Sequence, residues 1–223
     1  MTKPLHCYKY VALGLGLALI TLVGPLAHGQ SLNKQLDSLS NHYNTKMGAE
    51  KATNYDLQVK AIATKVNPEG MLKKGDQFPV LTLSTLDGKP FDFKQALEKG
   101  PVVVVYYRGT WCPYCNMTLR NYQGRLVDFG KRKATIIAIS GEPAEKEKNT
   151  ITRNNLTYPV LHDEGLVGAQ QLGITYDAGK GKLLPLGAAY VIGKDGLVRY
   201  AFTETDYRKR AEADELLAAI DRK

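Results

Sequence analysis

The chain has 223 residues, 43% of them apolar, and 30 lysines and arginines against 22 acids, for a net charge of +8. That apolar share supports a folded core and excludes a disordered chain. The basic clusters Lys131-Arg132-Lys133 and Arg208-Lys209-Arg210 lack interleaved aromatics or a nucleic-acid motif. They are read as solvated helix ends, and nucleic acid is not an expected partner.

Residues 1–29 read as a signal peptide. Lys3, His6 and Lys9 form a positive start, Val11 to Val23 is an apolar run, and Ala27-His28-Gly29 offers small residues to a signal peptidase, so cleavage is expected after Gly29. The run is short for a membrane span. No cysteine follows the cleavage point and no twin arginine precedes the run, so general secretion to a periplasm or beyond is expected. Membrane contact is expected only through the uncleaved leader. Cleavage would leave 194 residues, enough for one domain, and the loss of two lysines would leave a charge of +6.

Residues 30–70 read as a helical extension. Leu32, Leu36, Leu39 and Tyr43 share one helical face behind Ser31 as cap, Gly48 interrupts, and Leu57, Ile62 and Val66 suggest a second helix ending before Asn67-Pro68. The main domain, 71–223, opens near Lys74-Gly75-Asp76. A strand is predicted over Phe78 to Leu83, a turn at Asp87-Gly88 and a short helix from Phe93 to Lys99. Val102 to Tyr107 is apolar without alternation, as in a strand covered on both faces. Arg108, Gly109 and Thr110 break that run, and Pro113 suits the first turn of a helix reaching about Phe129.

A strand over Ala134 to Ser140 and a charged helix from Pro143 to about Asn154 follow. Next come a short strand at Tyr158 to Leu161 and a helix from Glu164 to Leu172 ended by Gly173. Asp177 to Gly187 reads as a loop. Ala188 to Ile192 and Leu197 to Phe202 form a hairpin through Lys194-Asp195-Gly196, and Arg210 to Ile220 reads as a terminal helix. Strands alternating with helices imply an α/β sandwich around a mixed sheet.

Cys7 leaves with the leader, so the mature chain holds only Cys112 and Cys115. A loop this short constrains the unfolded chain little, which makes stapling a poor explanation. Cys112 falls at the N-cap before Pro113, and Cys115 lies one turn in. The free N–H groups and dipole of a helix start favour a thiolate and lower the cysteine pKa from about 8.5. Cys112 is therefore expected to be the exposed, more acidic thiol. Arg108 adds positive charge nearby, and Trp111 and Tyr114 are expected to shape a docking surface. A zinc site is disfavoured, because His42 and His162 lack ligand spacing. Two thiolates alone suit Cu(I), which keeps a non-enzymatic Cu(I) or partner-binding module as an alternative. No cofactor motif is present.

Trp111-Cys112-Pro113-Tyr114-Cys115 after a buried strand resembles a thioredoxin-fold active site. Together with Lys74-Gly75-Asp76-Gln77-Phe78-Pro79, Tyr106-Tyr107-Arg108-Gly109-Thr110, Ala138-Ile139-Ser140 and Tyr158-Pro159-Val160-Leu161, it resembles the peroxiredoxin-like branch of the alkyl hydroperoxide reductase/thiol-specific antioxidant group. The resemblance runs from about Leu72 to Tyr200. It implies a thioredoxin-like three-layer sandwich and an antioxidant oxidoreductase that reduces hydroperoxides, with Cys112 and Cys115 cycling between dithiol and disulfide. Its partners would be a hydroperoxide and a thiol reductant, either a thioredoxin-like protein or a small thiol. The other enzymatic alternative is a thiol–disulfide oxidoreductase acting on exported protein disulfides.

The two family patterns assign the thiols differently. The peroxiredoxin pattern puts Cys115 in the peroxidatic place, Cys112 in that of a Thr and Arg108 in that of a Pro. The thioredoxin pattern makes Cys112 the nucleophile and Cys115 the resolver. The peroxiredoxin Arg and the thioredoxin Pro that precede the hairpin strand both fall on Gly187, with Pro185 two residues early, which makes these two the substrate-loop candidates. Thr110, Trp111, Pro113 and Tyr114 are the supporting residues. No carboxylate lies in Pro101–Tyr107, so the buried acid of thioredoxins is missing from that strand.

Overall fold

The computed structural model describes residues 30–222. The expected leader lies outside the described residues. Among the described residues, no helix is long and apolar enough to cross a membrane.

Two helices come first, α1 (Leu32–Met47) and α2 (Ala49–Ala63). Ser31 caps α1 by accepting the Lys34 N–H, and Gly48, at φ 82°, supplies the left-handed joint between them. After Asp87-Gly88 come α3 (Phe93–Lys99) and β2 (Val102–Tyr106), then α4 (Pro113–Gly124) and α5 (Leu126–Lys131). The order continues through β3 (Thr135–Ser140), α6 (Ala144–Asn154), β4 (Val160–His162) and α7 (Val167–Gln171). It ends with β5 (Thr175–Asp177), β6 (Leu183–Pro185), β7 (Ala189–Ile192), β8 (Val198–Phe202) and α8 (Ala213–Asp221). Ser84–Thr85 forms β1.

Six strands build one mixed sheet in the order β1-β4-β3-β2-β7-β8. β2 pairs parallel with β3 and antiparallel with β7, so it lies at the centre. All five of its residues are buried, which is why it reads as an unbroken β-branched run rather than an alternating one.

Four expectations are corrected. Phe78 to Leu83 is extended chain, not a strand. Pro79 has no N–H to donate, Val80 is 87% exposed, and Phe78, Leu81 and Leu83 reach the core without a continuous ladder. The helix expected through Phe129 divides at Arg125 into α4 and α5. The loop 177–187 contains a hairpin of β5 and β6, closed by left-handed Gly179, Lys180 and Gly181, with Asp177 accepting the Gly179 N–H at 2.7 Å. The terminal helix starts at Ala213, because Glu212 and Glu215 form a reciprocal capping box there. Arg210 is therefore not a helical residue.

The two N-terminal helices dock on the domain. Leu32, Leu36, Ile62 and Val66 are buried, each contributing about 1.5–3 kcal/mol of transfer free energy. The polar part of the joint is the segment before α8. Glu212 accepts the Leu32 and Asn33 N–H groups at 2.8 Å each, so one carboxylate serves the starts of α1 and α8. The Asn33 side chain donates to the Arg210 carbonyl and accepts the Arg210 N–H. Arg208 pairs with Asp56 at 2.6 Å and Lys209 with Asp37 at 2.8 Å. Leu36→Ala should lower unfolding stability by about 2–5 kcal/mol in urea titrations. A loss below about 0.5 kcal/mol, the scale of a surface change, would contradict the docked arrangement.

Candidate active site

β2 delivers Tyr107 and Arg108 to the end of the sheet, and a tight turn then reverses the chain. Gly109 sits at φ 152°, and a side chain there would strike Trp111 and Glu142. Glu142 accepts the Thr110 N–H, and the Thr110 hydroxyl lies within bonding reach of Glu142, the Lys146 carbonyl and Thr150. Thr110 therefore clamps the turn to the start of α6. Asn116 donates to the carbonyls of Thr110 and Cys112, at 2.8 and 2.9 Å, and is itself held by Asn154. Deeper in this polar layer, burial pushes the Glu147 carboxyl up to about 7, while Ser140 and His162 hydrogen-bond to it.

Cys112 is the N-cap of α4 and Pro113 its first residue. The Cys112 sulfur accepts the Cys115 N–H at 3.3 Å. The two sulfurs are joined as a disulfide across a Cα separation of 5.3 Å. Cys112 is nevertheless not exposed. Both cysteines have 1% of their surface accessible, so the expected contrast in exposure is absent. What separates them is their surroundings: Cys112 borders a cleft of about 360 Å³ between the N-terminal helices and the domain, and Cys115 does not. Trp111, half exposed, and Tyr114 line the same cleft.

Beneath Cys115 lies Arg210. Its Nη2 donates to the Cys115 sulfur at 3.2 Å, and its Nη1 donates to the carbonyls of Tyr207 and Lys209. Arg210 is 5% exposed, which corrects the reading of Arg208-Lys209-Arg210 as a solvated cluster. Burial brings its guanidinium down to about 10, still cationic at neutral pH. Among the described residues no carboxylate lies within ion-pair distance of it.

Gly187 admits this arginine, because a Cβ at 187 would overlap the guanidinium. Pro185 is a buried strand residue paired with Thr175 and does not line the cleft. Arg108 lies at the cleft, its guanidinium carbon 4.9 Å from the Trp111 ring and 4.4 Å from that of Tyr207, with Nη2 donating to the Tyr176 hydroxyl at 2.8 Å.

The structure thus gathers Cys112, Cys115, Arg108, Thr110, Trp111, Pro113, Tyr114 and Gly187 and leaves Pro185 aside. Sequence reading missed Arg210, Tyr207 and the cleft wall supplied by α1 and α2. One clue was available for Arg210: a glycine occupies the place where the family pattern carries an arginine, leaving room for a cation from elsewhere.

Residues 74–201 match the AhpC/TSA family. A putative peroxiredoxin of Mycobacterium tuberculosis is 27% identical over 150 residues, 67% of this chain and 96% of that protein. Peroxiredoxin Q, chloroplastic, of Oryza sativa subsp. japonica is 29% identical over 133 residues, and the chain spans 60% of that relative's length. Among solved structures, peroxidoxin BcpB from Mycobacterium tuberculosis superposes with a TM-score of 0.60 at 26% identity, over 67% of this chain and 97% of that one. Reduced Prx3 from Vibrio vulnificus, at 23% identity and a TM-score of 0.61, shares the fold over 68% of this chain and all of its own. The docked helices and Arg210 fall outside the matched span, which holds the central sheet, the turn and both cysteines; by that span this chain is a peroxiredoxin-like, thioredoxin-fold member of the AhpC/TSA family.

Proposed function

We propose that this protein reduces hydroperoxides through the Cys112–Cys115 pair. The observation that carries the reading is a disulfide at a helix start with one sulfur on a cleft and the other against a buried guanidinium. Cys112 is the attacking thiolate, because it borders the cleft and its sulfur accepts an amide of the first turn of α4. It attacks the terminal peroxide oxygen, the O–O bond breaks, and the alkoxide leaves and is protonated to an alcohol. Cys112 becomes a sulfenic acid. The Cys115 thiolate then attacks the Cys112 sulfur, forming the disulfide and releasing hydroxide, which takes a proton to become water. A thiol reductant supplies the two electrons that reopen the bond. The leader pattern read in residues 1–29 supports an exported chain as the setting for this chemistry.

Arg210 acts on the second thiol. A buried cation without a counter-charge is costly, and the thiolate of reduced Cys115 is the anion that lies against it. A stabilised Cys115 thiolate is available for resolution, and it is the better leaving group when a reductant opens the disulfide at Cys112.

With dimedone trapping after a peroxide pulse, sulfenic acid should persist at Cys112 in Cys115→Ser, and Cys112→Ser should consume no peroxide beyond background. Sulfenic acid found only at Cys115 in Cys112→Ser would reverse the two roles, and peroxide consumption by neither the wild type nor Cys115→Ser would defeat the reading.

Gly187→Ala should lower kcat by about tenfold or more, the loss expected when a group contacting the reacting atoms shifts. In Arg210→Met the same glycine substitution should add little, since interacting sites are not additive. Equal losses in both backgrounds would show that Gly187 acts independently of Arg210.

A further inference from the structure

Arg108 is a second cation without an acid. Among the described residues no carboxylate lies within ion-pair distance of its guanidinium, whereas Arg208, beside it on the cleft, is paired with Asp206 and Asp56. Arg108 is held by stacking on Trp111 and Tyr207 and by the Tyr176 hydroxyl. Its Nε is buried with no hydrogen-bond partner, and a buried donor left unpaired is unfavourable. Among the described residues no Asp or Glu lines this cleft, and the one acid of the neighbouring cavity that Arg108 also borders, Asp177, is not within ion-pair distance of it. The rest of the wall is largely apolar and aromatic, with Tyr43, Met47, Tyr55, Trp111 and Tyr114 around Cys112. An ordinary solvated arginine would neither be fixed between two rings nor face a cleft from which acids are missing.

We propose that this cleft binds a small organic carboxylate, with its anionic head on Arg108 and its apolar body against the aromatic wall, so that a reactive group on the body meets the Cys112 sulfur. A guanidinium pairs with a carboxylate through two parallel hydrogen bonds, and aromatic walls take an apolar body. Both a carboxylated hydroperoxide and a carboxylated thiol reductant have this chemistry. The inference rests on the proposed function only in naming these as the reactants; the anion site itself does not depend on it.

Trp111 is the sole tryptophan of the chain and stacks on Arg108, so its fluorescence reports the site. The unreactive probes are 4-isopropylbenzoate and its amide, titrated into the full-length protein. The carboxylate should bind at least about tenfold tighter than the amide, as expected for a partly desolvated charge-assisted pair. Arg108→Gln should erase that preference, and Arg108→Lys, which keeps the charge but not the fork, should retain part of it. Equal affinity for acid and amide in the wild type, or a preference that survives in Arg108→Gln, overturns the site.

Two turnover arms identify the source. One compares cumene hydroperoxide with its 4-carboxylate, and the other compares an aryl thiol reductant with its carboxylate. A preference in kcat/KM for the carboxylated peroxide, diminished in Arg108→Gln, assigns the peroxide substrate, and a preference confined to the thiol arm assigns the reductant. Tighter acid binding with no preference in either arm overturns the assignment to a reactant. Acid-selective binding with no turnover of either peroxide contradicts the proposed function and leaves the anion site standing.

Discussion

A guanidinium buried against a sulfur is the interaction on which the rest of this structure depends. Arg210 reaches Cys115 from the segment just before the last helix, and among the described residues no carboxylate lies within ion-pair distance of it. Desolvating a cation is expensive, and two backbone carbonyls offset only part of that cost. In the proposed cycle the Cys115 thiolate would supply the missing charge. The same contact explains Gly187, whose lack of a side chain is what lets the guanidinium sit where it does. In that cycle the same cation would favour the Cys115 thiolate, with water taking the proton that no carboxylate on the central strand is there to accept.

The segment 206–212 ties that chemistry to the N-terminal helices. Arg208, Lys209, the backbone of Arg210 and the Glu212 carboxylate all engage α1 or α2. Those helices form the outer wall of the cleft above Cys112 and leave its sulfur almost without exposed surface. One short stretch thus fixes the cation beneath one cysteine and the cover above the other. Burial of Cys112 does not remove it from reach, because the cleft opens beside it.

Much of this was legible in the sequence. The unbroken run at Val102 to Tyr107 marked a central strand, Cys112 and Pro113 marked a helix start, and Phe93 to Lys99 was read as the short helix it forms. Local rules suffice where one element's own residues decide its form. They failed where a distant partner decides. Phe78 to Leu83 has strand composition, but its neighbours offer isolated bonds instead of a ladder. The β5–β6 hairpin hides in a Gly- and Lys-rich stretch whose turn residues outweigh its short apolar flanks. Arg210 looked like surface charge because three basic residues in a row read as solvated. Its burial follows from tertiary geometry, with Cys115 lying 95 residues away in sequence and Gly187 leaving room for it.

The measurement closest to this claim is the thiolate absorbance of Cys115 followed through a pH titration, in Cys112→Ser with and without Arg210→Met. With Arg210 present, Cys115 should ionise below the range of an ordinary cysteine thiol, and replacing Arg210 should move that ionisation upward. An ordinary or raised ionisation with the arginine in place, unmoved by its removal, would contradict the account.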